Sequence, residues 1–102
     1  MNIELLYIDD CINWQHAKRE LEEVLVELGI QEEVRMVRVT SNEEAQRLSF
    51  SGSPTVRVNG LDVDPEAPSE GFNVECRIYW VGGRPVGRPP REWLARALAP
   101  GV

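Results

Sequence analysis

The sequence predicts an α/β domain: a four-stranded mixed sheet in the order β-α-β-α-β-β-α, with helices on both faces. Three observations predict it. Residues 3–8 form an apolar run of strand length. Residues 14–28 then change to a helical period, and a second strand-then-helix pattern follows at 33–50. Such alternation calls for parallel strands joined by a right-handed crossover. The remaining strand-like runs at 54–58 and 76–81 have no helix between them, which calls for antiparallel pairing.

Each element has its own local reason. Ile3-Glu4-Leu5-Leu6-Tyr7-Ile8 is apolar apart from Glu4, as a central strand covered on both faces requires. Trp14, Ala17, Leu21, Val24, Leu25 and Leu28 recur three or four residues apart. Lys18, Arg19, Glu22, Glu23 and Glu27 fill the other side, so the segment is an amphipathic helix. Gly29 suits its stop. Over 33–39, Val34, Met36 (with Val37) and Val39 alternate with Glu33, Arg35 and Arg38, a strand pattern. Thr40-Ser41-Asn42-Glu43-Glu44 offers a capping oxygen followed by acidic residues, which suit a helix start. Ala45, Leu48 and Phe50 give that short helix its apolar side.

Pro54-Thr55-Val56-Arg57-Val58 reads as the third strand, and Asn59-Gly60 as a tight turn. Residues 61–75 are polar and rich in turn formers, a long loop inserted in a small domain and of a length that often carries function. Within it, Asp62, Asp64 and Glu66 lack the calcium-loop pattern and read as solvated. Cys76–Val81 is the expected fourth strand. Gly82–Gly87 is a turn region, and Pro89-Pro90 lead into a last helix from Arg91 to Leu98.

A chain of 102 residues fits one domain, 1–102, with no repeat and no linker. Its net charge of -6 argues against nucleic acid and against anionic membrane surfaces, because both require a basic face. The favoured partners are neutral or cationic molecules, or another protein. No apolar run approaches the ~20 residues of a membrane span, and Met1-Asn2-Ile3-Glu4 does not open a secretory signal. A cytoplasmic setting follows as the expectation, and there the two cysteines stay reduced. Two thiols and the single His16 do not complete a tetrahedral zinc site. His16 falls on a charged helix and reads as solvated.

Cys11 stands at the switch from the first strand to the first helix. A helix N-terminus carries roughly half a positive charge and unpaired N–H groups, a setting that favours a thiolate, the nucleophilic form. Asp9 and Asp10 oppose this by adding negative charge nearby. Asp10 has two readings, a proton donor or acceptor beside the thiol, or a helix cap. Farther on, Ser53-Pro54-Thr55 opens the third strand.

The element order, Cys11 at the first junction and Ser53-Pro54-Thr55 before the third strand resemble the thioredoxin and glutaredoxin superfamily, in particular its small bacterial single-cysteine members. The resemblance spans the chain apart from residues 61–75. It implies a thioredoxin-like fold, a cis Pro54 facing Cys11 across a small groove, and Ser53 and Thr55 offering backbone contacts to an extended peptide or to glutathione. It departs from the redox motif: Trp14 stands where the second cysteine of Cys-x-x-Cys belongs. Monothiol chemistry at Cys11 remains, with Trp14 lining the groove, or a reaction with Cys76 as distant resolving partner. A simple topology puts Cys76 far from Cys11, whereas the loop at 61–75 is long enough to bring it back; the sequence leaves both open.

Three functions follow as expectations. The first is thiol–disulfide exchange, or a mixed disulfide with a small thiol or a protein disulfide, with Cys11 as nucleophile and no resident cofactor beyond glutathione. The second is a soft-metal or organomercurial protein in which Cys11 and Cys76 hold the metal. A distant resemblance to organomercurial lyases gives Asp10 the proton-relay role there. The third is a catalytically silent binding module. Cys76 taken alone reads as a strand-end residue, Trp14 and Trp93 as core, and Tyr7, Tyr79 and Trp80 as strand aromatics beside the groove.

Overall fold

The computed structural model describes residues 1–99. Its elements are β1 (Ile3–Tyr7), α1 (Asn13–Glu27), β2 (Val34–Arg38), α2 (Asn42–Arg47), β3 (Thr55–Val58), β4 (Leu61–Asp62), β5 (Tyr79–Val81), β6 (Arg84–Val86) and α3 (Arg91–Leu98). A four-stranded mixed sheet runs in the order β2-β1-β3-β4. β1 pairs in parallel with β2, Leu5 opposite Met36, and antiparallel with β3, Leu5 opposite Val56.

Period-two alternation decides which residues each face of β1 receives. Ile3 and Leu5 join Val56 and Val58 against Ala17, Leu21, Val24 and Leu25 of α1 and Leu94 and Leu98 of α3. Leu6 points the other way, into a smaller core with Val39, Ala45 and Phe50. α1 and α3 therefore cover one face and α2 the other, as the sequence predicts.

Helix ends follow the expected chemistry in two places. Ser41 caps α2, its hydroxyl accepting from the Glu44 N–H at 3.1 Å. The Glu44 carboxylate reaches back to the Thr40 N–H at 2.8 Å, so both signals read at 40–44 are used. Those bonds from Thr40 hold the Glu44 carboxyl below its ordinary range. α1 runs on to Leu28 as C-cap, and Gly29 follows in the left-handed region at φ +69°.

The fourth strand is not where the sequence puts it. Asn59-Gly60 does turn the chain, but the strand it delivers to the sheet is β4, Leu61–Asp62. Of Cys76–Val81, only Tyr79–Val81 is strand, and it pairs with β6 in a separate two-stranded hairpin across Gly82-Gly83. The adjacent run is diverted at Cys76, which makes an isolated parallel bridge with Ser53. A charged residue inside that run, Arg77, accounts for the diversion, as its surroundings make clear below.

Candidate functional site

The site is built where β1 ends, α1 begins and β3 begins. Cys11 lies just before Ile12, the N-cap of α1, and its carbonyl accepts the Trp14 N–H at 3.5 Å. α1 has no side-chain cap, so Asp10 does not cap it. Asp10 is exposed, and its charge acts on the thiol of Cys76. Cys11 is only 2% exposed. Its thiol donates to the Ser53 carbonyl at 3.4 Å.

Ser53 is fully buried and fixes the geometry around this bond. Its hydroxyl accepts from the Ile8 N–H at 3.1 Å, tying the end of β1 to the start of β3. Its backbone N–H donates to Glu75 O at 2.8 Å, and its carbonyl also accepts the Arg77 N–H at 2.9 Å. Both backbone groups of Ser53 are therefore taken by residues 75–77. The Ser53–Pro54 peptide bond is cis, and Pro54 is buried. Thr55 is buried too, its hydroxyl donating to Gly52 O at 2.7 Å.

The parallel bridge from Ser53 to Cys76 bears on the question that the sequence leaves open: it carries Cys76 to the residue whose carbonyl accepts from the Cys11 thiol. Cys76 is free and exposed, Cys11 free and buried. The Cys76 thiol is pushed up to about 11. The first cause is the Cys11 side chain; then come burial and the nearby carboxylates Asp10 and Glu75. The exposed cysteine of the two is Cys76, whereas the sequence points to Cys11 as the reacting thiol.

Trp14 packs beside Tyr7. Its ring lies 4.5 Å from that of Tyr7, tilted by 35°, against the core under α1 and α3. Its buried Nε1–H has no hydrogen-bond partner among the described residues. Trp93 is half-buried, edge-on to Tyr79 at 6.2 Å. Trp80 is 63% exposed.

The residue after Cys76 anchors a buried cluster that sequence reasoning does not assemble. Arg77 is 4% exposed, a guanidinium taken out of water. It donates to Asp62 at 2.8 and 3.3 Å, to Asp64 at 3.3 Å and to the Thr55 hydroxyl at 3.1 Å. Its planar head lies 4.2 Å over the Tyr79 ring, and the Tyr79 hydroxyl donates to Pro54 O. Burial raises the Tyr79 phenol well above its ordinary value. Asp62 and Asp64, expected in a solvated loop, are instead about seven-eighths covered, at 15% and 14% side-chain exposure. The available signal was Arg77 itself: an arginine between Cys76 and Ile78 in an apolar run is buried only when paired, and Asp62-x-Asp64 is the nearby acidic match.

Among the described residues, no three His, Cys, Asp or Glu side chains gather into a metal-holding group. No described helix is long and apolar enough to cross a membrane. No protein-family model matches the chain, and neither does any curated protein or solved structure compared with it.

Proposed function

We propose that this chain is a thiol–disulfide exchange protein whose working unit is the Cys11–Cys76 pair on a thioredoxin-like domain. One observation supports the reading: two cysteines 65 positions apart in sequence both engage Ser53, Cys11 through a hydrogen bond to its carbonyl and Cys76 through a backbone bridge. Two free thiols anchored at one residue supply the parts of a dithiol couple.

The balanced reaction has two steps. The Cys76 thiolate, on the exposed side, attacks an external disulfide RSSR; a Cys76–SR bond forms and RS⁻ leaves. The Cys11 thiolate then attacks the Cys76 sulfur, closing the internal disulfide and expelling the second RS⁻, and solvent protons convert both leaving groups to thiols. Two electrons pass from the protein dithiol to RSSR, and the reverse sequence reduces the protein. Cys11 keeps its role as nucleophile, now in the internal step.

The test is oxidation by 2-hydroxyethyl disulfide with mass analysis of unreduced digests. The wild type gives a Cys11–Cys76 linked peptide, and Cys11→Ser stops at an adduct on Cys76. Oxidation of wild type that yields only separate adducts on the two cysteines rules the pair out as a couple.

The same contact favours a second reading. Two adjacent thiolates offer linear coordination to a soft ion such as copper(I) or mercury(II), with Asp10 nearby to accept or deliver a proton. One equivalent of copper(I) bound by wild type and lost in either single-cysteine variant supports it; equal binding by Cys76→Ser defeats it.

A further inference from the structure

The segment 75–77 does more than carry a cysteine. It makes two strand-type hydrogen bonds to Ser53, one to its N–H and one to its carbonyl, and presents Cys76 to Cys11 between them. An extended peptide adding to this edge as a strand would use those same two backbone groups. The chain has filled the position with itself.

The filling is held firmly. Arg77 is the residue after Cys76, and its side chain runs back beneath the segment to Asp62, Asp64, Thr55 and Tyr79. The alternation of this run is set by that clamp: Arg77 and Tyr79 are buried, while Ile78 and Trp80 are left 60% and 63% exposed. A strand sorting its side chains by hydrophobicity alone would turn the other way. The packing at the docking point is close as well. A Cβ on Gly52 would lie 2.8 Å from Arg77 Cβ, so only a residue without one lets the two backbones meet.

We infer that residues 75–77 are an internal substrate strand, clamped through Arg77 to Asp62 and Asp64, which closes the Ser53 edge to extended peptides and restricts the pair to small disulfides met at Cys76. This rests on the exchange reading above and names its substrate class. Arg77 is a positioning residue here: it touches no reacting atom, and it acts by keeping Cys76 within reach of Cys11.

The test compares two oxidants, 2-hydroxyethyl disulfide and a disulfide-linked pair of unstructured peptides, on wild type, Arg77→Gln and Arg77→Lys. Each rate is divided by that of free glutathione with the same oxidant, to remove intrinsic reactivity. In the wild type the small disulfide is favoured by about tenfold or more. In Arg77→Gln that preference falls toward unity, and closure of the internal disulfide slows by about tenfold or more as its pre-set geometry is lost. Arg77→Lys, which keeps the charge without the fork, lies between. Equal normalised rates with both oxidants in wild type overturn the inference, as does an unchanged preference in a folded Arg77→Gln. Failure of every oxidant to link Cys11 to Cys76 in wild type overturns the exchange reading instead. Hydrogen exchange on the wild type tests the docking without any variant. The amides of Ser53 and Arg77 should exchange far more slowly than those of 69–73, and equal exchange refutes a docked strand.

Discussion

Removing the Cys11 sulfur should release the thiol of Cys76. The Cys11 side chain is the first of the causes that hold Cys76 up at about 11, and its effect vanishes in Cys11→Ala. At pH 8 a thiol of that pKa is ~0.1% thiolate, whereas one at the ordinary ~8.5 is about a quarter ionised. The gain in thiolate is partly offset, because nucleophilicity falls with pKa by a Brønsted factor of about 0.4–0.5. A complete return to the ordinary value leaves a net rise of roughly twentyfold in alkylation rate. Burial, Asp10 and Glu75 still act on Cys76, so a return of about half the distance, and a rise of roughly fivefold, sets the lower bound. The assay is iodoacetamide labelling of Cys76 from about pH 7 to 10.5, read by peptide mass spectrometry in wild type and Cys11→Ala. Superimposable pH profiles would mean that the sulfurs do not interact, and the argument for a couple would fail with them.

Stability should fall in alkali in two stages. Cys76 has its pKa raised in the fold, so its contribution is complete below the unfolded value of about 8.5 and is lost as pH rises toward about 11. Tyr79, held up by burial, adds a further fall above the unfolded phenol value of about 10. Urea midpoints of the wild type should decline from about pH 8.5, and Cys76→Ser should delay that decline to about pH 10; a variant curve identical to wild type would exclude the first stage. Arg77→Met leaves Asp62 and Asp64 facing each other without their cation and should cost about 3–5 kcal/mol in urea unfolding, against under 1 kcal/mol if the pairs were solvated. Ser41→Ala removes the hydroxyl that caps α2 and should cost about 1 kcal/mol, with no effect on thiol chemistry. Gly52→Ala combines a φ of +115° with a Cβ 2.8 Å from Arg77, so it should lower the melting temperature and loosen the protection of the Arg77 amide; a variant matching wild type in both would show the approach to be slack.

The regular elements were legible because they obey local rules. The α1 stripe, the Ser41 cap and the Asn59-Gly60 turn each depend on residues within a few positions of one another, and each lies where the sequence places it. The three strands that contain β1, β2 and β3 are found the same way. What failed was non-local. The strand pattern at 76–81 is real as a pattern, but its partner was misassigned, because nothing nearby says whether β3 or Ser53 or the 84–86 segment will receive it. The two-residue β4 is too short to leave any periodicity.

The site divides along the same line. Cys11 is legible from a junction, which is local; its burial is not, because the partner of its thiol, Ser53, lies 42 positions away. The decisive quantity is the fate of one charge. Arg77 in water would leave 76–81 free to sort itself as an ordinary amphipathic strand, Ile78 and Trp80 inward, and would point Cys76 elsewhere. Arg77 buried needs carboxylates, and among the described residues Asp62 and Asp64, at and just after β4, stand where its head arrives. Once that pairing forms, the alternation is fixed, Tyr79 is turned inward onto Pro54, and Cys76 is left at Ser53 beside Cys11. Breaking a buried pair costs several kcal/mol, whereas exposing Ile78 and Trp80 forfeits about 1.5–3 kcal/mol for each side chain left out. These are of similar size, so hydropathy alone cannot choose between the registers. The extra hydrogen bonds at Ser53 and Thr55 and the cation–π contact with Tyr79 tip the balance toward the register that sets Cys76 against Ser53.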